Sequence, residues 1–222
     1  MELDIYVVDA FTDTQFKGNS AAVVPLEEWL APELMQSIAT ENNLSETAFL
    51  KSIGANQYEI RWFSPITEID FCGHATLASS LVLFDELGIS GTIEFHTLEV
   101  GTLTVERNAQ GKIEMTFPAR PPKAVSDIPS ALIEGLSCDV ERVLLSPQAY
   151  FVVVDSQQEV LEVQYRSEHL KTFAPYDVVV TAKGDQQDFV SRYFWPANGG
   201  DEDPVTGSIH AGLAPFLSLI HI

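Results

Sequence analysis

Two segments with helical spacing and no polar face constrain this chain more than anything else in it. In residues 73–88, GHATLASSLVLFDELG, the side chains of Ala75, Leu77, Ala78, Leu81, Val82, Leu83 and Phe84 fall around almost the whole circumference of a helix. Residues 207–217, GSIHAGLAPFL, repeat the pattern. A helix that is apolar on most sides is buried on most sides, so each needs a layer of strands wrapped around it. Two antiparallel sheets, each curled over a central helix, satisfy both.

The strands are present in the right places. Alternating, β-branched or aromatic runs at residues 3–10, 21–25, 47–51, 58–63, 92–96, 101–107 and 112–117 surround the first apolar helix. Runs at 142–145, 149–155, 176–181 and 189–195 precede the second. Pro32 opens a further helix through Leu34, Met35 and Ile38 that should stop near Asn42 and Asn43, and residues 129–136 read as another. The densest proline cluster, residues 118–123, marks a linker and divides the chain into domains 1–117 and 118–222. Each half places a turn with an acid and a glycine before its apolar helix: Asp70-Phe71-Cys72-Gly73-His74 in the first and Asp203-Pro204-Val205-Thr206-Gly207-Ser208 in the second. That shared plan suggests duplication.

Charge narrows the partners. The 222 residues carry 12 Lys+Arg against 32 Asp+Glu, a formal net charge of -20. With no basic stripe to neutralise phosphates, nucleic acid and anionic membranes are excluded as partners on electrostatic grounds. The two cysteines, Cys72 and Cys138, make no disulfide framework, and the start lacks a signal-peptide pattern, so the expected compartment is the cytoplasm. No Gly-x-Gly-x-x-Gly or Walker sequence occurs, so no nucleotide cofactor is expected. Cys72, His74, His210 and Asp203 lack dense ligand spacing, so no metal site is expected either.

An anionic substrate would therefore need local donors. A helix N-terminus presents unpaired N–H groups and about half a unit of positive charge, and two such ends could hold a carboxylate without lysines. Ordinary capping by Thr206 or Ser208 explains the same residues. Glu46 sits among apolar neighbours in Asn43-Leu44-Ser45-Glu46-Thr47-Ala48-Phe49, where burial would suit it to proton transfer, although a surface glutamate is the simpler reading. Cys72 is either a thiolate activated at a helix start or a small buried residue. Ser208 and His210 diverge by roughly 200° on a helix, so they form no hydrolase dyad. His96, His169 and His221 fall in no motif and are read as structural, and Cys138 as inert.

Five segments together resemble the PhzF-like family of phenazine biosynthesis proteins, which shares the diaminopimelate epimerase fold. They are Val8-Asp9-Ala10-Phe11-Thr12 with Gly18-Asn19-Ser20-Ala21-Ala22-Val23; residues 43–49; Arg61-Trp62-Phe63-Ser64-Pro65; Asp70-Phe71-Cys72-Gly73-His74-Ala75-Thr76; and Glu202-Asp203-Pro204-Val205-Thr206-Gly207-Ser208. The resemblance implies an α+β fold of two pseudo-symmetric barrels with an active site between them, and a cofactor- and metal-free isomerase acting as a homodimer on a small carboxylate. It makes Glu46 the general acid/base, with Gly73, His74, Asp203, Gly207 and Ser208 binding substrate. Epimerases of this fold use one cysteine from each half; here Cys72 holds the first position but Thr206 the second, which argues against two-thiol racemisation. The family continues for tens of residues past the second apolar helix, so the second barrel is expected to be incomplete here. A catalytically silent binding protein and a Cys72-dependent racemase are the competing readings.

Overall fold

The first apolar helix is buried as its sequence requires, and its hydroxyls show how. In the computed structural model, which describes residues 2–117, 119–203 and 206–220, α2 (Gly73–Leu81) buries Thr76, Ser79 and Ser80 completely. Their hydroxyls donate to the carbonyls of Cys72, Ala75 and Thr76 one turn back, at 2.6, 2.7 and 2.7 Å. Hydroxyls satisfied by their own backbone add no polar face, so the helix behaves as apolar all round. It runs on as a π-helical turn, Val82–Glu86, rather than as the uninterrupted α-helix expected to residue 88.

The chain folds as two units, Met1–Phe117 and Pro118–Ile222. In the first, strands β1 (Tyr6–Ala10), β2 (Asn19–Leu26), β3 (Glu46–Gly54), β4 (Gln57–Phe63), β6 (Ile93–His96), β7 (Thr102–Arg107) and β8 (Ile113–Thr116) form one sheet in that order, with the short β5 (Glu68–Ile69) paired to β4. Neighbours are antiparallel except β2/β3 and β4/β6, whose parallel pairing needs crossovers. Helix α1 (Pro32–Asn42) makes the first, stopped by Asn43 in the left-handed conformation, φ 51°; α2 makes the second. The sheet curls over α2 and the π-helical turn, whose Ala75, Ala78, Val82 and Leu83 pack on Val23, Leu50, Trp62, Phe95 and Val105. A side cluster of Met35, Ala39, Phe49 and Phe63 seats α1 on the opposite face.

The second unit holds a six-stranded open sheet, in the order β9 (Lys123–Ala124), β10 (Arg142–Leu145), β11 (Ala149–Val153), β12 (Asp177–Lys183), β13 (Phe189–Phe194) and β14 (Glu202–Asp203). Only β11/β12 is parallel. Its crossover consists of α4 (Gln157–Glu162) and α5 (Ser167–Leu170), two short helices the sequence reading missed because neither spans enough turns for a 3.6-residue period to show. Helix α3 (Ser130–Gly135) precedes β10, and α6 (His210–Ile220) lays Ile209, Leu213 and Phe216 on Phe151, Val179 and Tyr193. The second apolar helix thus begins at His210, not at Gly207. Backbone bonds from His210, Ala211 and Gly212 back to Gly207, Ser208 and Ile209 span three residues, so this entry is a tight turn rather than α-helix. Pro204, Val205, Pro118 and His221 lie outside the described residues.

The two units repeat one plan. β1, β2, α1, β3, β4, β5 and α2 of the first match β10, β11, α4 with α5, β12, β13, β14 and α6 of the second, with the same parallel and antiparallel pairings. Side chains repeat too. Arg61 makes a two-pronged ion pair with Glu68 at 2.7 and 2.7 Å and lies 5.3 Å from the Phe63 ring. Arg192 does the same with Glu202, at 2.7 and 2.7 Å, and lies 5.1 Å from Phe194. The motif Arg-aromatic-Phe-x-Pro, at Arg61-Trp62-Phe63-Ser64-Pro65 and Arg192-Tyr193-Phe194-Trp195-Pro196, is the sequence trace of this duplication.

Candidate active site

Glu46 opens β3, where it pairs in register with Ala21 on the neighbouring parallel strand. That start of the strand lies beside the start of α2. Glu46 Oε2 is 2.9 Å from His74 Nε2, with the two side chains 17% and 6% exposed. Both atoms are buried, yet neither has an aligned hydrogen-bond partner, because the ring does not aim its Nε2 direction at the carboxylate. Distance and direction disagree here. The distance carries more weight, since catalytic pairs are commonly misaligned in unliganded sites and tighten on binding.

On the other side of the ring, His74 Nδ1 lies 3.4 Å from Cys72 Sγ and 3.4 Å from Asn19 Nδ2. Asn19 Oδ1 in turn accepts from Ser45 Oγ at 3.0 Å. Asn19 owes its place to Gly18, whose φ is +79° and whose absent Cβ would stand 2.1 Å from the Ala10 carbonyl oxygen. Cys72 precedes the first helical residue in extended conformation, and its carbonyl accepts the first ladder bond, from the Thr76 N–H at 3.1 Å. The N–H groups of Gly73, His74 and Ala75 therefore fall before the ladder and are oriented to receive an anion.

Glu46, Cys72 and His74 also form the group of potential metal ligands found among the described residues, their atoms within 4.8 Å of one another. Cys72 Sγ lies 3.4 Å from Nδ1 and Glu46 Oε2 lies 2.9 Å from Nε2, so the imidazole stands between the thiol and the carboxylate. A groove of about 750 Å³ elsewhere in this unit, along Val8, Leu77 and Leu81, contains none of these groups.

The second unit carries a matching arrangement around Ser208. Asp177 opens β12 as Glu46 opens β3, in register with Ala149. Its carboxylate accepts from Tyr193 Oη at 2.6 Å and from Asn198 Nδ2 at 2.7 Å. Gln148 Nε2 donates to Tyr193 Oη at 2.9 Å and to Ser208 Oγ at 2.7 Å. Burial pushes the Asp177 carboxyl above its usual range, against the lowering effect of those two bonds. Burial, with Asp177 beside it, also pushes the Tyr193 phenol up, so it stays a donor.

Of the residues singled out from sequence, Glu46, Cys72, Gly73 and His74 gather at the start of α2, while Asp203, Thr206, Gly207 and Ser208 gather before α6. Asp203 accepts from the Thr206 hydroxyl at 2.6 Å, which partly answers how a carboxylate could sit in an anion site. Gly207 and Ser208 lie in the turn before α6, so their N–H groups belong to that turn rather than to a helical first turn. His210 faces the Thr206 and Gly207 carbonyls and not Ser208, which disposes of the hydrolase dyad. Burial raises the Cys138 thiol, consistent with inertness. Asn19, Gln148, Asp177 and Tyr193 were not given roles by sequence reasoning; superposing the halves on the Arg-aromatic-Phe-x-Pro repeat sets Asp177 opposite Glu46 and Tyr193 opposite Trp62, and gives no signal for Asn19 or Gln148.

A family model described as "Phenazine biosynthesis-like protein" matches residues 8–221. An uncharacterized isomerase of Pseudomonas aeruginosa is 44% identical over 217 residues, spanning 97% of this chain and 82% of the relative. The crystal structure of a PhzF family phenazine biosynthesis protein from Enterococcus faecalis superposes with TM-score 0.90 at 39% identity, over 100% of this chain and 84% of that one. A structure titled "Predicted Epimerase" from Pseudomonas aeruginosa gives TM-score 0.75 at 20% identity over 99% and 83% of the two chains, a likeness of fold alone.

Proposed function

We propose that this chain, which belongs to the phenazine biosynthesis-like protein family, is an isomerase that moves a proton between carbons of a small carboxylate-bearing substrate, with Glu46 as general acid/base. The α+β, diaminopimelate epimerase-like fold and the isomerase relatives support the reaction class. The observation that carries the assignment of Glu46 is its buried approach, 2.9 Å, to His74 Nε2 at the start of α2. A carbon acid needs its electron pair delocalised into an adjoining π system and the resulting charge met by fixed donors. In this reading the N–H groups at the start of α2 hold the carboxylate, and the Glu46 carboxylate takes the C–H proton. The pair of electrons left on carbon shifts through the π system, and the Glu46 carboxyl returns the proton at another carbon. His74 Nε2 steadies the Glu46 carboxylate before the first transfer and after the second. No resident cofactor is invoked.

The test is deuterium uptake. Amino and cyclic carboxylic acids are incubated in D2O with the native chain and with Glu46→Gln. Loss of uptake of 10²-fold or more in Glu46→Gln, against retention in Cys72→Ser, supports the assignment, since a positioned acid/base is worth roughly 10²–10⁴ in rate. The reverse ranking would favour the Cys72-dependent racemase, which the 3.4 Å approach of Sγ to His74 Nδ1 keeps in play. Binding without uptake would favour a silent member of the fold.

A further inference from the structure

The imidazole of His74 stands between the two candidate bases, and the amide of Asn19 faces its Nδ1. Asn19 Oδ1 is committed as acceptor to the Ser45 hydroxyl at 3.0 Å, which turns Nδ2 toward His74. A primary amide nitrogen is donor only. Facing it at 3.4 Å, His74 Nδ1 must present its lone pair, and in a neutral imidazole the hydrogen then resides on Nε2. Nε2 is the nitrogen 2.9 Å from Glu46 Oε2. A hydrogen there makes the ring a donor on the side where Glu46 lies.

The second unit holds a related contact one register position away, since Ala149 faces Asp177 as Ala21 faces Glu46. Gln148, immediately before β11 as Asn19 opens β2, donates through Nε2 to Ser208 Oγ at 2.7 Å. Ser208 stands before α6 at the point where His74 begins α2. Its own hydroxyl hydrogen is then directed away from Gln148 and available to an acceptor.

We propose that Asn19 is a positioning residue that holds His74 in the Nε2–H form, the form whose hydrogen lies on the nitrogen beside Glu46. The inference deepens the isomerase reading above, but its test reads the imidazole itself and requires no substrate, so either can fail alone.

The experiment is a long-range 1H–15N correlation spectrum of the full chain labelled at histidine, with His74 identified by its absence in His74→Gln. An unprotonated ring nitrogen resonates far downfield of a protonated one, so the two tautomers give distinct patterns. The expected native pattern is Nε2–H. In Asn19→Asp the donor is replaced by an acceptor, and the pattern is expected to move toward Nδ1–H or to the doubly protonated ring. Asn19→Gln, which keeps the donor, should preserve Nε2–H. A native spectrum showing Nδ1–H or imidazolium, or an Asn19→Asp spectrum identical to the native one, overturns the proposal. The native spectrum decides the first of these even if a variant fails to fold.

Discussion

Replacing Tyr193 by Phe removes one oxygen from the centre of the second unit's polar network. Tyr193 is 94% buried by its 6% exposure, and Phe fills nearly the same space, so the packing change is small. What is lost is the bond to the Asp177 carboxylate at 2.6 Å and the bond accepted from Gln148 at 2.9 Å. A hydrogen bond to a charged group contributes about 1.5–3 kcal/mol and a neutral one about 1, and the two share an atom, so the expected cost is about 2–3 kcal/mol near neutral pH. The pH dependence is the sharper signature. Burial raises the Asp177 carboxyl in the folded state, while the Tyr193 and Asn198 bonds lower it. A carboxyl with a raised folded pKa destabilises the fold once the pH exceeds its unfolded value of about 3.9, and that penalty is complete above the folded value. Removing Tyr193 Oη raises the folded value further and enlarges the penalty. The excess instability of Tyr193→Phe should therefore be full near neutral pH and shrink to about 1 kcal/mol or less as Asp177 is protonated in both states. Urea unfolding of native and variant chains at stepped pH measures it as the change in midpoint times slope. A difference below about 0.5 kcal/mol at neutral pH, or one that does not vary with pH, refutes the network as described.

Three further outcomes follow from close contacts. Gly212→Ala should destabilise the second unit by about 1–3 kcal/mol despite alanine's better helix propensity, because the added Cβ would meet the Phe151 ring at 2.6 Å; a gain in stability on urea unfolding would show that α6 can lift off the sheet. Gly18→Ala combines a positive φ with a 2.1 Å approach to the Ala10 carbonyl, and should displace Asn19 and broaden the His74 ring resonances as well as lower stability; an unchanged histidine spectrum contradicts it. Asp9, whose pKa is lowered by the Ser20 hydroxyl bond and then by the Phe16 N–H, ties the loop of residues 11–18 to β1. Its folded pKa lies below 3.8, so the tie holds above that value and is lost as pH falls through the folded one, read as faster amide exchange of residues 11–18 in acid and, at neutral pH, in Asp9→Asn.

In the first unit Gly73 was legible as a glycine at a helix start, but Glu46 read locally as a surface glutamate and came forward only through the family resemblance. The second unit was harder. Asp177 reads as the polar end of a strand, Tyr193 as one of many strand aromatics, and Gln148 as a turn residue, because none carries a local signal of what it touches. Ser208 was found, but its surroundings were not, and the helix it was placed in begins two residues later. The short helices of residues 157–170 escaped for the same reason: their stability comes from packing beneath a parallel crossover, not from their own propensity.

By itself the sequence determined that two apolar helices had to be wrapped, that the strands to wrap them were mostly antiparallel, and that the chain was built twice. Those properties follow from periodicity over a few neighbouring residues, which any stretch of chain displays without its partners. Only the tertiary structure decided that Asn19 reaches His74 across 55 residues and that Gln148 reaches Ser208 across 60. Such meetings are set by strand register, where a shift of one residue turns a side chain to the opposite face. Chemistry at this site depends on which donor faces which lone pair, and that is fixed by register, not by composition.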